Sequence, residues 1–139
     1  MDAQTKIKLL IMFKILIIED DEITNFITKT NLEKYGYKNI AIALNGKDGL
    51  DYLMKNECPD LILLDINMPV LDGWDFLEDI TDRKCCPNVP IILTTSSGRP
   101  EDKLKAAIFE NVIEYMEKPL NFEILNTIIK KVRANEFEF

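Results

Sequence analysis

The sequence predicts an α/β domain: a three-layer, doubly wound (βα)5 arrangement around a parallel sheet. Three observations predict it. Short apolar runs bounded by turn or cap residues occur five times along the chain, as expected of strands buried on both faces. A helix-length amphipathic segment follows each run, which is the alternation that parallel strands need for their crossovers. With no internal repeat or linker, 139 residues suit one compact domain.

The first run is Phe13 to Ile18. The helix after it, at about 22–35, carries Ile23, Phe26, Ile27, Thr30 and Leu32 near i, i+3, i+4 spacing, which predicts that this stripe is buried. The second run, Asn39 to Leu44, leads into a helix at 46–56 with Asn45 as its N-cap. The third, Leu61 to Leu64, precedes a helix at 73–82, and the fourth, Pro90 to Thr94, one at 99–109. Phe109 reads as core packing rather than a partner contact. The fifth run, Val112 to Met116, is followed by a helix at 121–134, capped by Asn121 and striped by Phe122, Leu125, Ile128, Ile129 and Val132. Residues 12–134 make the domain. Residues 1–11 read as a disordered leader ahead of a natural start at Met12-Phe13-Lys14, and 135–139 as a solvated or loosely docked tail.

Composition excludes several functions. Seventeen basic and 24 acidic residues leave a net charge of −7, with no basic footprint for nucleic acid or anionic lipid. The absence of histidine removes Ser-His and Cys-His dyads, His-rich zinc sites and every histidine base. Five scattered glycines supply neither a P-loop nor G-x-G-x-x-G. Cys58, Cys85 and Cys86 are an odd number with two adjacent, so no disulfide is expected and a reducing, cytoplasmic compartment is the plain reading. Lys8 and Lys14 interrupt the apolar N-terminal stretch, which falls short of the roughly 20 residues of a membrane span and has no small-residue cleavage site. Neither a signal peptide nor membrane insertion is expected.

In an open α/β sheet the ligand sits at the carboxyl ends of the strands. Those ends carry Glu19-Asp20-Asp21, Asp65, Thr95-Ser96-Ser97 and Glu117-Lys118-Pro119. Singly, each has a structural explanation: an acidic pair caps a helix, an Asp before Pro and Gly makes a turn, and a lysine before proline sits at a helix entry. Together they deliver acids, a hydroxyl and an amine to one rim. Asp20, Asp21 and Asp65 would repel one another unless a cation lay between them, and hard oxygen ligands suit Mg²⁺ better than zinc.

With these residues in place, the chain closely resembles the receiver domain of two-component response regulators, the CheY-like family. The segment LILLDINMPVLDGWDFL, with Asp65, Asn67, Met68, Pro69, Asp72 and Gly73, looks like that family's phosphoacceptor loop. The intervals of 30 residues from Asp65 to Thr95 and 23 from there to Lys118 match its layout, and the resemblance covers roughly residues 13 to 134. It implies a flavodoxin-like sheet of order 2-1-3-4-5. It implies that Asp65 is the phosphoacceptor, that Asp21 ligates Mg²⁺ directly with Asp20 acting through water or as an orienting acid, and that Asn67 adds its backbone carbonyl. It makes Thr95 the switch hydroxyl, Lys118 the ammonium that neutralises a phosphoryl oxygen, and Tyr115 the aromatic that moves with the switch. Asn67, Thr95, Ser96 and Lys118 would surround the phosphoryl group.

The chemistry agrees with the resemblance. A carboxylate is a poor nucleophile toward an anionic donor, so a metal and an ammonium must screen charge in a loose transition state. The resemblance implies a donor in trans, a sensor histidine kinase or histidine phosphotransfer protein, and a chain that phosphorylates and dephosphorylates itself rather than a conventional enzyme. The readout surface would be the helix from Arg99 to Phe109, the strand around Tyr115 and the helix from Asn121, meeting a protein target or a second copy. Two other classes compete. A haloacid-dehalogenase-type phosphohydrolase wants a second acid two residues after the nucleophile, where this chain has Asn67. A phosphorylation-independent interaction module typically loses part of the set Asp20, Asp21, Asp65, Thr95 and Lys118, all present here.

Overall fold

In the computed structural model, which describes residues 2–134, the strand β1 (Lys14–Ile18) lies inside the sheet with four of its five residues buried. Apolar on both faces, it pairs in parallel with β2 (Asn39–Ala43) on one edge and β3 (Leu61–Asp65) on the other. Strands β4 (Ile91–Thr95) and β5 (Val112–Glu117) follow, giving the order β2-β1-β3-β4-β5 expected of the flavodoxin-like fold. Every residue of β3 and β4 is buried.

Alternation along the strands divides the core. Leu16, Ile18, Ile62 and Leu64 face α3 (Gly46–Lys55), α4 (Gly73–Asp82) and α5 (Pro100–Ala106), packing against Leu50, Leu53, Phe76, Leu77, Ile80 and Ala106. Ile15, Ile17 and Leu63 face α2 (Glu22–Lys34) and α6 (Phe122–Arg133), meeting Leu32, Leu125, Ile128 and Ile129. Each such side chain, once fully buried, contributes about 1.5–3 kcal/mol of transfer free energy. Phe109 is half-buried and stacks on Trp74 with centroids 6.4 Å apart.

Three sequence expectations need correction. The leader is helical, forming α1 (Ala3–Met12); Asp2 caps it by accepting from the Thr5 amide at 2.7 Å, and Leu10 packs against the second core cluster. No Gly or Pro interrupts residues 3–12, and the Asp2-to-Thr5 spacing is that of an N-cap. On α2 the buried face is Asn25, Thr28 and Leu32, while Ile23 and Phe26 are each 71% exposed and Ile27 47%. On that buried face the Asn25 side-chain nitrogen donates to the Glu19 carbonyl at 2.9 Å, while its Oδ1 is buried without a partner. Finally, Cys58 and Cys86 form a disulfide, Cα atoms 5.8 Å apart, leaving Cys85 as a thiol. An odd count in sequence says nothing about two cysteines that the fold brings together. The tail at 135–139 lies outside the described residues. No described helix is long and apolar enough to cross a membrane.

Candidate functional site

Four strands terminate at one rim, and each delivers its side chain for a local reason. Glu19 is the first residue after β1; its amide donates to the Ala43 carbonyl at 3.0 Å, continuing the ladder, and it is 4% exposed. Asp65 and Thr95 are the last residues of β3 and β4, both buried. Lys118 follows β5, and its amide donates to the Thr95 carbonyl at 2.7 Å.

Carboxylate oxygens of Glu19, Asp20 and Asp65 lie within 4.8 Å of one another. The Lys118 ammonium bonds Glu19 and lies 3.3 Å from Asp65 Oδ1. Burial alone pulls that ammonium's pKa down, but its bond to Glu19 and the Asp65 charge outweigh the loss and hold it above the ordinary lysine value. Burial, followed by the hydrogen-bonded and like-charged Glu19, pushes the Asp20 carboxyl up. Three carboxylates against one ammonium leave an excess of negative charge. An all-oxygen set at this separation fits a hard divalent cation, and Mg²⁺ among them.

Asp21 stands apart from that cluster. It caps α2, its Oδ2 accepting from the Thr24 amide at 3.0 Å and from the Thr24 hydroxyl, and these bonds hold its carboxyl below the ordinary value. The acids that converge with Asp65 are thus Glu19 and Asp20, whereas the sequence expectation was Asp20 with Asp21. Two signals pointed there: the buried strand ends at Ile18, so Glu19 is its exit residue, and Asp21 precedes Thr24 at N-cap spacing.

The loop after Asp65 is fixed by backbone. Gly73 donates to the Ile66 carbonyl at 2.9 Å, and a Cβ on Gly73 would stand 2.8 Å from the Asp65 carbonyl oxygen. Val70 and Leu71 hold left-handed φ values of 54° and 69°, a conformation that disfavours a β-branched residue. Asn67 is exposed; its amide donates to Asp65 Oδ1 at 3.4 Å, and its side-chain nitrogen lies 3.5 Å from Thr95 Oγ1. The Thr95 hydroxyl donates to the Ser97 carbonyl and accepts from the Ser97 amide, each at 3.0 Å. Tyr115, half-buried, donates to the same carbonyl at 3.0 Å. Ser96 is exposed beside Thr95. Asp65, Thr95 and Lys118, expected from sequence, thus meet at one rim, with Asn67, Ser96 and Tyr115 around them.

Comparison with known proteins agrees with this fold. The family model for the response regulator receiver domain matches residues 15–130. Transcriptional regulatory protein YxdJ of Bacillus subtilis is 34% identical over 119 residues, covering 86% of this chain but 49% of that protein. Protein PilH of Pseudomonas aeruginosa is 32% identical over 123 residues, 88% of this chain and 99% of that protein. The solved structure of chemotaxis protein CheY4 of Vibrio cholerae superposes with a TM-score of 0.77 at 26% identity, covering 87% of this chain and 98% of that one.

Proposed function

The chain belongs to the family of response regulator receiver domains, and from that footing we propose that it takes a phosphoryl group onto Asp65 from a phosphohistidine of a sensor histidine kinase or phosphotransfer protein. The observation that carries this reading is the convergence of Glu19, Asp20 and Asp65, with the Lys118 ammonium 3.3 Å from Asp65 Oδ1. An oxygen of Asp65 attacks phosphorus, the bond to the donor imidazole breaks, and an acyl phosphate remains on the protein. Lys118 offsets charge on the transferring group, and the Asn67 and Ser96 backbones flank it. Glu19, Asp20, Asp65 and the Asn67 carbonyl would hold Mg²⁺, which when bound supplies the positive charge that screens acids and phosphoryl oxygens from one another.

The switch follows from counting protons. Thr95 has one hydroxyl proton, and it is committed to the Ser97 carbonyl. Donating to a phosphoryl oxygen means giving that bond up, for a charge-assisted one that is roughly twice as strong. Tyr115 then holds the Ser97 carbonyl alone, so the loop and ring resettle on the face formed by α5, β5 and α6. That face meets a protein target or a second copy. Water later cleaves the acyl phosphate at the same site, so the protein acts on itself rather than as a conventional enzyme. We place this unit, residues 12–134, in the cytoplasm, where ATP-fed kinases supply phosphohistidine.

The test is transfer in trans. A phosphotransfer protein carrying labelled phosphohistidine, mixed with the chain and Mg²⁺, should lose its label to the wild type and keep it with Asp65→Ala. Transfer to both, or to neither, would refute the reading.

A further inference from the structure

The disulfide lies at the end of the sheet opposite the acid cluster, yet the segment it closes contains the site. Cys58 sits between α3 and β3, and Cys86 between α4 and β4. They stand 28 positions apart in sequence, and the segment between them carries β3, Asp65, Asn67 and the whole of α4. Helices α3 and α4 pack on each other, and their other ends hold the loop after Asp65: Gly46 donates to the Leu71 carbonyl at 3.1 Å, and Gly73 to that of Ile66 at 2.9 Å. The two residues differ in exposure, Cys58 being exposed and Cys86 only 8% exposed, while Cys85 beside Cys86 stays a thiol.

We propose that Cys58–Cys86 is a reversible strap, closed by a small disulfide such as oxidised glutathione and opened by thiols, which braces the segment bearing Asp65. Exposed Cys58 reacts first: its thiolate attacks a glutathione sulfur and expels one glutathione thiolate. The Cys86 thiolate then attacks the Cys58 sulfur of the mixed disulfide and expels the second. Two electrons pass from the protein pair to glutathione disulfide, and the two thiol protons go to solvent or to the departing thiolates. The closed strap removes chain entropy from the unfolded state across that loop. It also reconciles the disulfide with a reducing compartment, where the strap would stand open until oxidant rises.

The experiment equilibrates the full chain in excess oxidised or reduced glutathione, alkylates free thiols, maps the peptides by mass, and follows thermal unfolding. The expected result is one alkylated thiol, Cys85, and a Cys58–Cys86 peptide under oxidation, then three alkylated thiols after reduction. The unfolding midpoint should fall by roughly 10 °C on reduction. Cys85→Ser should repeat this, and Cys58→Ser should unfold at one temperature in both buffers. Three free thiols in oxidised glutathione, a link through Cys85, a bond that thiols cannot open, or a redox shift surviving in Cys58→Ser would overturn the proposal. These readouts do not involve phosphoryl transfer, so they stand apart from the role of Asp65.

Discussion

Thr95 and Tyr115 share one acceptor: each hydroxyl donates to the Ser97 carbonyl oxygen at 3.0 Å. The carbonyl has two lone pairs and both are used. In the proposed switch this shared acceptor would couple occupancy of the acid site to the Tyr115 ring, because moving the single Thr95 proton changes what Tyr115 holds.

A Thr95→Val substitution removes that proton with little change in volume. Phosphorylation of Asp65 by a small acyl-phosphate donor should persist, while the Tyr115 ring resonances, expected to shift on phosphorylation in the wild type, should stay still in the variant. An undiminished ring shift in the variant would show that the coupling runs elsewhere.

Metal affinity distinguishes Glu19 from Asp21. By calorimetric titration, Glu19→Gln and Asp20→Asn should weaken Mg²⁺ binding at least about tenfold. Asp21→Ala should leave affinity nearly unchanged while lowering the unfolding temperature by roughly a few degrees through loss of the cap on α2. A collapse of affinity in Asp21→Ala would restore it to the metal site.

The rotation of α2 can be read from stability. Phe26→Ser should change stability by no more than about 0.5 kcal/mol, since the ring is 71% exposed. Leu32→Ala, by contrast, should cost about 2–5 kcal/mol. Denaturant titration with equal m-values decides between this arrangement and the reverse order of costs.

Tyr37 predicts an alkaline limit. It is fully buried and donates to Asn126 Oδ1 at 2.9 Å, and burial pushes its phenol up despite the Arg133 guanidinium over the ring. Because the fold favours the protonated phenol, this contribution is complete below the ordinary value of 10.0 and fades as pH rises through the higher folded one. Burial raises the Tyr115 phenol as well, so absorbance titration should show late-ionising phenol that falls by one tyrosine in Tyr37→Phe. The same amount of late-ionising phenol in Tyr37→Phe as in the wild type would contradict it.

What the sequence conveyed depended on how local the cause was. The five strands and the buried stripe of α6 were legible because an apolar run or a helical period is a local pattern. Asp65, Thr95 and Lys118 were legible because each sits at or just past a strand end. The α2 face was not, because which side of that helix packs inward is set by contacts between elements, such as the bond from Asn25 to the Glu19 carbonyl. The first run already ended at Ile18, as β1 does; separating Glu19 from Asp21 needed the side-chain bond from the Thr24 amide that turns Asp21 to the cap of α2. The helix α1 was hidden by an apolar stretch without clean period, and the Cys58–Cys86 bond by distance along the chain.

The proposed role of Asp65 as phosphoacceptor is tested most directly by incubation with Mg²⁺ and a small acyl-phosphate donor, followed by intact mass and peptide mapping of the wild type beside Asp65→Ala. One phosphoryl group is expected on the wild type, within the Asp65 peptide, and none on the variant. An unmodified wild type, or an equal adduct on the variant, would contradict it.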